Sequence, residues 1–314
     1  MSGLSISSTP PADWLTLCET DKLLFHSAAW LELLESSFNV QTQYIWDDSA
    51  QCGGAVSSFA VGPFRLGYLG FPFGGVAGNT AVSGEMLRGW REYRSDILPM
   101  AIRVPISAFG ESADLNLAYE STPETAIVNL SSWTLDVTSG NHRRDVKKAM
   151  RSDLEVADAS GAADGIEIFR MYSDTVKRHR GALRYNETYF VNLVALAQSS
   201  PHVRVLLARM ADAIAGFTVV ARHGPSGLYL HGGTHQAYRQ YQPSAVLLYA
   251  AIQWSQSLGC SRFNLMSSPA GQQSLVWYKE KWGGETREHR MYTLPIRASY
   301  GFFRFAERIY RLVR

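Results

Sequence analysis

Cysteine is scarce in this chain: 3 in 314 residues, at Cys18, Cys52 and Cys260, with no C-x-x-C pair. Spacing of that kind excludes a disulfide framework and a thiolate zinc site, and it points to reduced packing thiols in a cytoplasmic setting. No metal is expected. Charge is scarce as well, at 18% of residues and a net +2. Attraction to anions must then come from local clusters of Lys and Arg, not from the protein's overall field. The opening MSGLSISSTPPADW has neither the basic start nor the apolar run of a secretory signal, so export is not expected. Membrane-spanning runs are missing too. Leu66 to Gly84 is uncharged but broken by six glycines and a proline, and Gln240 to Ser261 is interrupted by Pro243 and studded with Gln and Ser.

What the chain has is core-forming material. Its hydrophobic fraction is 46%, enough for a sizeable interior. Its length is twice the roughly 150 residues typical of one domain, which predicts two domains or one domain duplicated. In the first half, "SAAWLELLESSF" predicts a helix over Ser27 to Phe38 with Trp30, Leu33, Leu34 and Phe38 on one stripe. Strands are expected at Val40 to Trp46 and Ala55 to Val61, then just before "GFPFGGVAG", and later at Met100 to Pro105 and Thr125 to Leu130. A helical segment is expected at Val82 to Tyr93. A linker-like "SSWTLDVTSG" leads into the basic helix "NHRRDVKKAMRSD", capped by Asn141 or Ser139.

The second half has a clearer rhythm. A strand at Leu154 to Ala157 precedes helices at Gly165 to Arg180 and Glu187 to Gln198. Three strands follow, "VRVLLARM", "AIAGFTVVAR" and "GLYLHGGT". A helix then runs from Pro243 to Ser257, with proline in its first turn and Gly259 beyond its end. The strand "RFNLM", a helix within "SLVWYKEKWGGE" and the strand "REHRMYTL" complete the order. The expected fold class is α/β, built on a mixed sheet with one crossover between parallel strands.

Element order and motifs together resemble the GNAT acyltransferases, and within them the tandem-GNAT group of FemAB peptidyltransferases and BioF2-like proteins. The resemblance is carried by "ETAIVNLS" running into "NHRRDVKKAMRSDLEV", by "RYNETYFVNLVA", by "YQPSAVLLYAAIQWSQSLGCSRFNLM" and by "SLVWYKEKWGGE". It implies two tandem GNAT-like domains, the second more typical: 1–135, 136–296, and a basic C-terminal helix over 297–314. It also implies N-acyl transfer from an activated thioester or ester to an amine of a cell-envelope precursor, sugar or peptide.

Such transfer needs donors for a developing oxyanion and a proton route to the leaving group. The resemblance places Lys279 where amine and activated ester meet; read on its own, Lys279 could equally be a surface lysine whose stem covers Trp282. Tyr238 and Tyr241 are candidates to orient or protonate the leaving group, and His231 and His235, either side of Gly232 and Gly233, are candidate bases. His231 could instead be a structural histidine on its strand. Arg239, near a helix start, could hold a phosphate. The resemblance makes Arg178 and Arg184, within "KRHRGALRY", candidate phosphate ligands, with Tyr185 and Tyr278 as further substrate-binding candidates. The helix dipole alone explains part of that basic cluster.

The GNAT pyrophosphate loop, Gln/Arg-x-x-Gly-x-Gly or Ala, is missing from "LYLHGGTHQAYRQYQPSA". Acyl-CoA, as acetyl-CoA, and aminoacyl-tRNA therefore both stay open as co-substrates. The basic helix "NHRRDVKKAMR" carries five basic residues spread around its axis and would suit a tRNA donor, or would simply be solvated. A DNA partner is not expected. The tail "IRASYGFFRFAERIYRLVR", with five arginines and one glutamate, could dock on the core or lie at the inner membrane face, where a lipid-linked amine substrate would be met. The competing class is a non-catalytic scaffold or RNA-binding protein on the same duplicated fold.

Overall fold

Ser27 stands just ahead of an apolar stripe and caps a helix there, its hydroxyl accepting from Trp30 N. The computed structural model describes residues 4–49, 51–78, 87, 90, 99–110, 118–178, 182–297 and 300–301. Within these, the chain forms two compact units, Met1–Ser121 together with His289–Arg314, and Thr122–Glu288.

Unit 1 contains strands β1 (Leu4–Ser7), β2 (Val40–Asp47), β3 (Cys52–Val61), β4 (Phe64–Leu69), β5 (Ala77–Gly78) and β6 (Ala101–Ile106), with helices α1 (Trp14–Thr20) and α2 (Ala28–Ser37). Strand β13 (Glu285–Pro295) returns from the end of the chain to pair antiparallel with β6. Strands β1 to β4 pair antiparallel in sequence order, and β4 pairs parallel with β6. One sheet face buries Ile45, Val56, Ile102, Val104, Tyr292 and Leu294. The alternation along β6 and β13 follows from strand geometry, which sends successive side chains to opposite faces.

Unit 2 contains β7 (Tyr119–Ile127), which enters from unit 1, and helix α3 (Gly140–Met150). Strand β8 (Leu154–Asp158) and helices α4 (Ala162–Arg178) and α5 (Glu187–Ser199) follow. Strands β9 (Val203–Met210), β10 (Ala213–His223) and β11 (Ser226–Thr234) come next, then α6 (Pro243–Ser257), β12 (Arg262–Ser267) and α7 (Gln273–Glu280). Strands β8 to β11 pair antiparallel in order, β11 pairs parallel with β12, and β12 pairs antiparallel with β7. This is the same series of senses as in unit 1. In each unit the sixth strand comes from beyond the consecutive ones: β13 closes unit 1, and β7 stands ahead of the rest of unit 2.

Helix limits follow the local chemistry. Asn186 Oδ1 accepts from Tyr189 N to open α5, Pro243 opens α6, and Gly259 takes φ +71° after it. The linker-like "SSWTLDVTSG" is not a linker. It folds as the 3-10 turns Leu130–Ser132 and Leu135–Val137 around buried Trp133, whose indole donates to Trp282 O at 2.9 Å.

Between the two possible caps of α3 the structure selects Ser139, which accepts from His142 N. That helix is not merely solvated, since His142, Val146 and Ala149 are buried and Val146 belongs to the unit-2 core. Its basic residues are also less scattered than the sequence implied. With one face buried, exposed Arg144, Lys147, Lys148 and Arg151 fall at i, i+3, i+4 and i+7 along a single face.

Strand β1, helix α1 and the 3-10 turn Gln236–Tyr241 had no clear periodicity and were not foreseen. Of the helix expected at Val82 to Tyr93 only buried Leu87 and Trp90 are described, and the tail from 302 onward lies outside the described residues. The three cysteines are buried and none forms a disulfide among the described residues. No helix among the described residues is long and apolar enough to cross a membrane.

Trp277 is 57% exposed and Trp282 fully buried, although both belong to "SLVWYKEKWGGE". Trp282→Ala should cost about 3–5 kcal/mol in urea unfolding, because it opens a cavity in the unit-2 core. Trp277→Ala should stay within about 0.5 kcal/mol of the parent.

Candidate active site

The site begins where the unit-2 sheet parts. Strands β11 and β12 share only the pairs Ser226↔Arg262, Gly227↔Phe263 and Leu228↔Asn264. Strand β11 then runs on to Thr234 beside β10, and β12 runs on to Ser267 beside β7. Beyond the last pair each strand turns main-chain N–H and C=O groups toward the gap, and such groups are strong, obligatory hydrogen-bonding partners. An extended ligand that carries amides can pair with them as an added strand does.

Lys279 lies at this opening. It is only 6% exposed, which rules out the surface-lysine reading, and Nζ donates to Met266 O at 2.8 Å and Ser267 O at 3.2 Å. Two of its three N–H donors are thereby held, and one remains. Burial lowers its pKa from the ordinary 10.5 to about 8, with the charge of Glu124 acting in the opposite direction.

The carbonyls that hold Lys279 are aimed by a kink. Met266 takes φ +65°, in the left-handed region, where the β12–β7 register slips between Asn264 and Ser267. A non-glycine residue pays about 1–2 kcal/mol to sit there, so the surroundings must hold it. Asn264 does so by accepting from Met266 N at 2.7 Å, while its own amide donates to Glu124 Oε1 at 2.5 Å. Glu124 is fully buried. The sequence reading missed Glu124, Asn264 and Met266 altogether, because β7 and β12 are far apart in the chain and nothing in "RFNLM" marks a kink.

The other candidates fall into two groups. His231 shares a hydrogen bond of 3.0 Å with Tyr189 Oη, and Tyr185, Phe190 and Tyr172 surround its ring at centroid distances of 4.7, 5.4 and 6.3 Å. Burial lowers the His231 pKa to about 3, so the imidazole is neutral at physiological pH and a weak base. The structure thus favours the structural histidine over the base. Gly232 is required beside it: a Cβ there would lie 1.8 Å from Tyr229 Oη.

The second group is the turn Gln236–Tyr241, which carries Tyr238, Arg239 and Tyr241 and is capped by His235 through Nδ1. Arg178, at the end of α4, reaches this turn. With the Gln236 amide oxygen facing it, Arg178 Nε and Nη1 donate at 3.3 and 2.7 Å. His235 and Arg239 are exposed, while Tyr238 and Tyr241 are half-buried. Arg184 is exposed, and its main-chain N–H donates to Tyr172 Oη at 3.3 Å. Tyr278 packs its ring on His142 at 4.8 Å, within the α3–α7 packing. The structure therefore gathers Arg178 with the turn, and Tyr185 with His231, while Lys279 sits on the β12 side of the gap. Among the described residues no group of His, Cys, Asp and Glu could hold a metal ion.

Residues 138–279 match the family described as acetyltransferase (GNAT) domain. No curated protein sequence matches the chain. Among solved structures, the chain is similar to FemX, with a TM-score of 0.64, 12% identity, and 91% of this chain and 96% of that one covered. It is also similar to L-PGS from Bacillus licheniformis, with a TM-score of 0.53, 13% identity and 94% of each chain covered. The tandem GNAT protein from the clavulanic acid biosynthesis pathway gives a TM-score of 0.52, 9% identity, and 92% and 98% coverage.

A GNAT domain match across most of unit 2, on a sheet that parts between two parallel strands, marks an acyltransferase. With the same order of strand senses in both units, the chain has the tandem fold of these neighbours, and residues 138–279 carry its GNAT domain.

The Asn264 bridge can be tested by stability. Asn264→Ala removes the acceptor for Met266 N and the donor to buried Glu124, and should cost about 2–4 kcal/mol in urea unfolding. A loss under about 0.5 kcal/mol, the range of ordinary surface changes, would show that the kink is held by something else.

Proposed function

We propose that the chain transfers an acyl or aminoacyl group from a thioester or ester donor to an amine at the parting of the unit-2 sheet. The observation that carries this reading is the buried ammonium of Lys279, held by two carbonyls of β12 beyond its last pair with β11, with one N–H left over. In the reaction the amine nitrogen bonds to the donor's carbonyl carbon and the C–S or C–O bond breaks. The proton released by the amine passes to the departing thiolate or alkoxide. Lys279 donates to the carbonyl oxygen as it becomes an oxyanion, in a setting where a preorganised donor is worth far more than in water. Tyr238 and Tyr241, on the turn ahead of α6, would orient the leaving group.

For the donor, the unpaired strand edges suit the amide-bearing arm of an acyl-CoA, while the missing pyrophosphate loop and the single basic face of α3 favour aminoacyl-tRNA. Arg144, Lys147, Lys148 and Arg151 would neutralise phosphates along one ridge. The likeness to the C-terminal domain titled putative lysylphosphatidylglycerol synthetase from Agrobacterium fabrum (TM-score 0.56) supports an aminoacyl group and a lipid or other envelope acceptor. Arg178 would hold an acceptor phosphate beside the turn Gln236–Tyr241. We place a degenerate GNAT-like domain at 1–135 and the acyltransferase domain at 136–296, with β13 completing the first.

Lys279→Ala should lower kcat by about 100- to 1,000-fold, the usual cost of losing an oxyanion donor, with donor binding little changed and a stability loss of about 1–3 kcal/mol as two carbonyls lose their partner. Retained turnover would remove Lys279 from the chemistry. Aminoacyl-tRNA binding, if tRNA is the donor, should weaken steeply with salt, and Lys147→Ala/Lys148→Ala should flatten that slope.

The ammonium form of Lys279 is present below its pKa of about 8 and disappears above it, so kcat should fall as pH rises through that value. Glu124 raises this pKa. Glu124→Gln should therefore move the alkaline limb to lower pH, and a limb that stays in place or moves upward would remove Glu124 from this role.

A further inference from the structure

Unit 1 has a parting of its own. Strands β4 and β6 share three parallel pairs, Leu66↔Ala101, Gly67↔Ile102 and Tyr68↔Arg103. The last pair occupies the place that Leu228↔Asn264 occupies in unit 2. Where unit 2 has an asparagine engaged with an acid, unit 1 has an arginine.

Arg103 is half-buried, and its Nε is out of contact with solvent and without a hydrogen-bond partner among the described residues. No carboxylate pairs with it among those residues. Its guanidinium carbon lies 5.8 Å from the centroid of the Tyr68 ring, an aromatic support that leaves all five N–H donors uncommitted. A charge taken partly out of water without a counter-charge is costly, and a planar fork of donors matches an oxyanion.

The surroundings repeat the signal. Register carries one row of side chains across the same face of the sheet: Thr42 opposite Ser57, Ser57 opposite Tyr68, Tyr68 opposite Arg103, and Arg103 opposite Thr293. Ser57 is fully buried, and both its Oγ and Thr42 Oγ1 lack partners among the described residues. Buried hydroxyls without partners cost about 1–3 kcal/mol each, and native structures keep few of them. Phe71, from the loop that follows β4, packs on Tyr68 at 5.4 Å and walls this row with an apolar ring.

We propose that Arg103, stacked on Tyr68 at the parting of the unit-1 sheet, is a binding site for the oxyanion of a small ligand, a carboxylate or a phosphate, whose adjoining apolar part lies against Phe71. This site does not depend on the transfer reaction at Lys279.

The test uses the full chain, with sodium phosphate and sodium acetate as separate probes against sodium chloride at equal ionic strength. Binding is read by calorimetry and by the Nε–H signals of ¹⁵N-arginine-labelled protein, with Arg103→Lys used to assign the Arg103 signal. The wild type should bind one probe and shift the Arg103 Nε–H signal. Arg103→Met should weaken that binding at least about tenfold, as loss of charge-assisted hydrogen bonds implies. Response to phosphate alone assigns a phosphorylated ligand, and response to acetate alone a carboxylated one.

An Arg103 signal unmoved by either probe overturns the proposal, as does equal binding by wild type and Arg103→Met. The wild-type NMR arm holds even if Arg103→Met fails to fold. Lys279→Ala should bind the probe as the wild type does, so failure at this site and failure of the transfer reading are told apart.

Discussion

Two parallel strands that pair for only three residues impose most of what is distinctive here. A sheet normally satisfies its main-chain groups along its whole length. Where β11 leaves β12, that satisfaction stops, and the chain must supply other means of holding the loose ends. On the β12 side it does so with a left-handed Met266, an asparagine that bridges to a buried acid, and a lysine that caps two successive carbonyls. The lysine is thus a structural answer to the parting. Its ammonium is fixed by the same carbonyls that the kink presents, which gives it the preorganisation that oxyanion stabilisation requires.

The same parting recurs in unit 1 with different chemistry at the same register position. Asn264 in one unit and Arg103 in the other follow equivalent three-pair ladders. A duplicated scaffold has kept the geometry and changed the side chain at its branch point. Function on such a scaffold resides in the residues at the branch, not in the fold.

The helices and strands of unit 2 were largely legible in the sequence, because their signals are local: Pro243 at the start of α6, Ser139 as a cap, apolar runs along β9 and β10. Lys279 stood out through its aromatic neighbours, and its burial then singled it out from Lys281. What could not be read was any relation between distant strands. Glu124 and Asn264 are 140 positions apart and look unremarkable in their own segments. His231 could be seen as a candidate, but only its packing among Tyr185, Tyr189 and Phe190 shows why it is a poor base. The segment around Trp133 was misread because two tight turns about a buried indole share the composition of a linker.

The exchanged sixth strand has a consequence for how the protein comes into being. Strand β6 of unit 1 waits for β13, whose pairing runs from Arg290 to Pro295 against Ala101 to Ile106. During synthesis the whole of unit 2 leaves the ribosome before that partner exists, so the edge of β6 is exposed while its neighbour is still being made. Domains generally fold as units and N-terminal ones first, and unpaired edges in such intermediates invite aggregation. Here the N-terminal unit closes last, and a chain stopped short of residue 290 would carry a finished unit 2 attached to an unfinished unit 1.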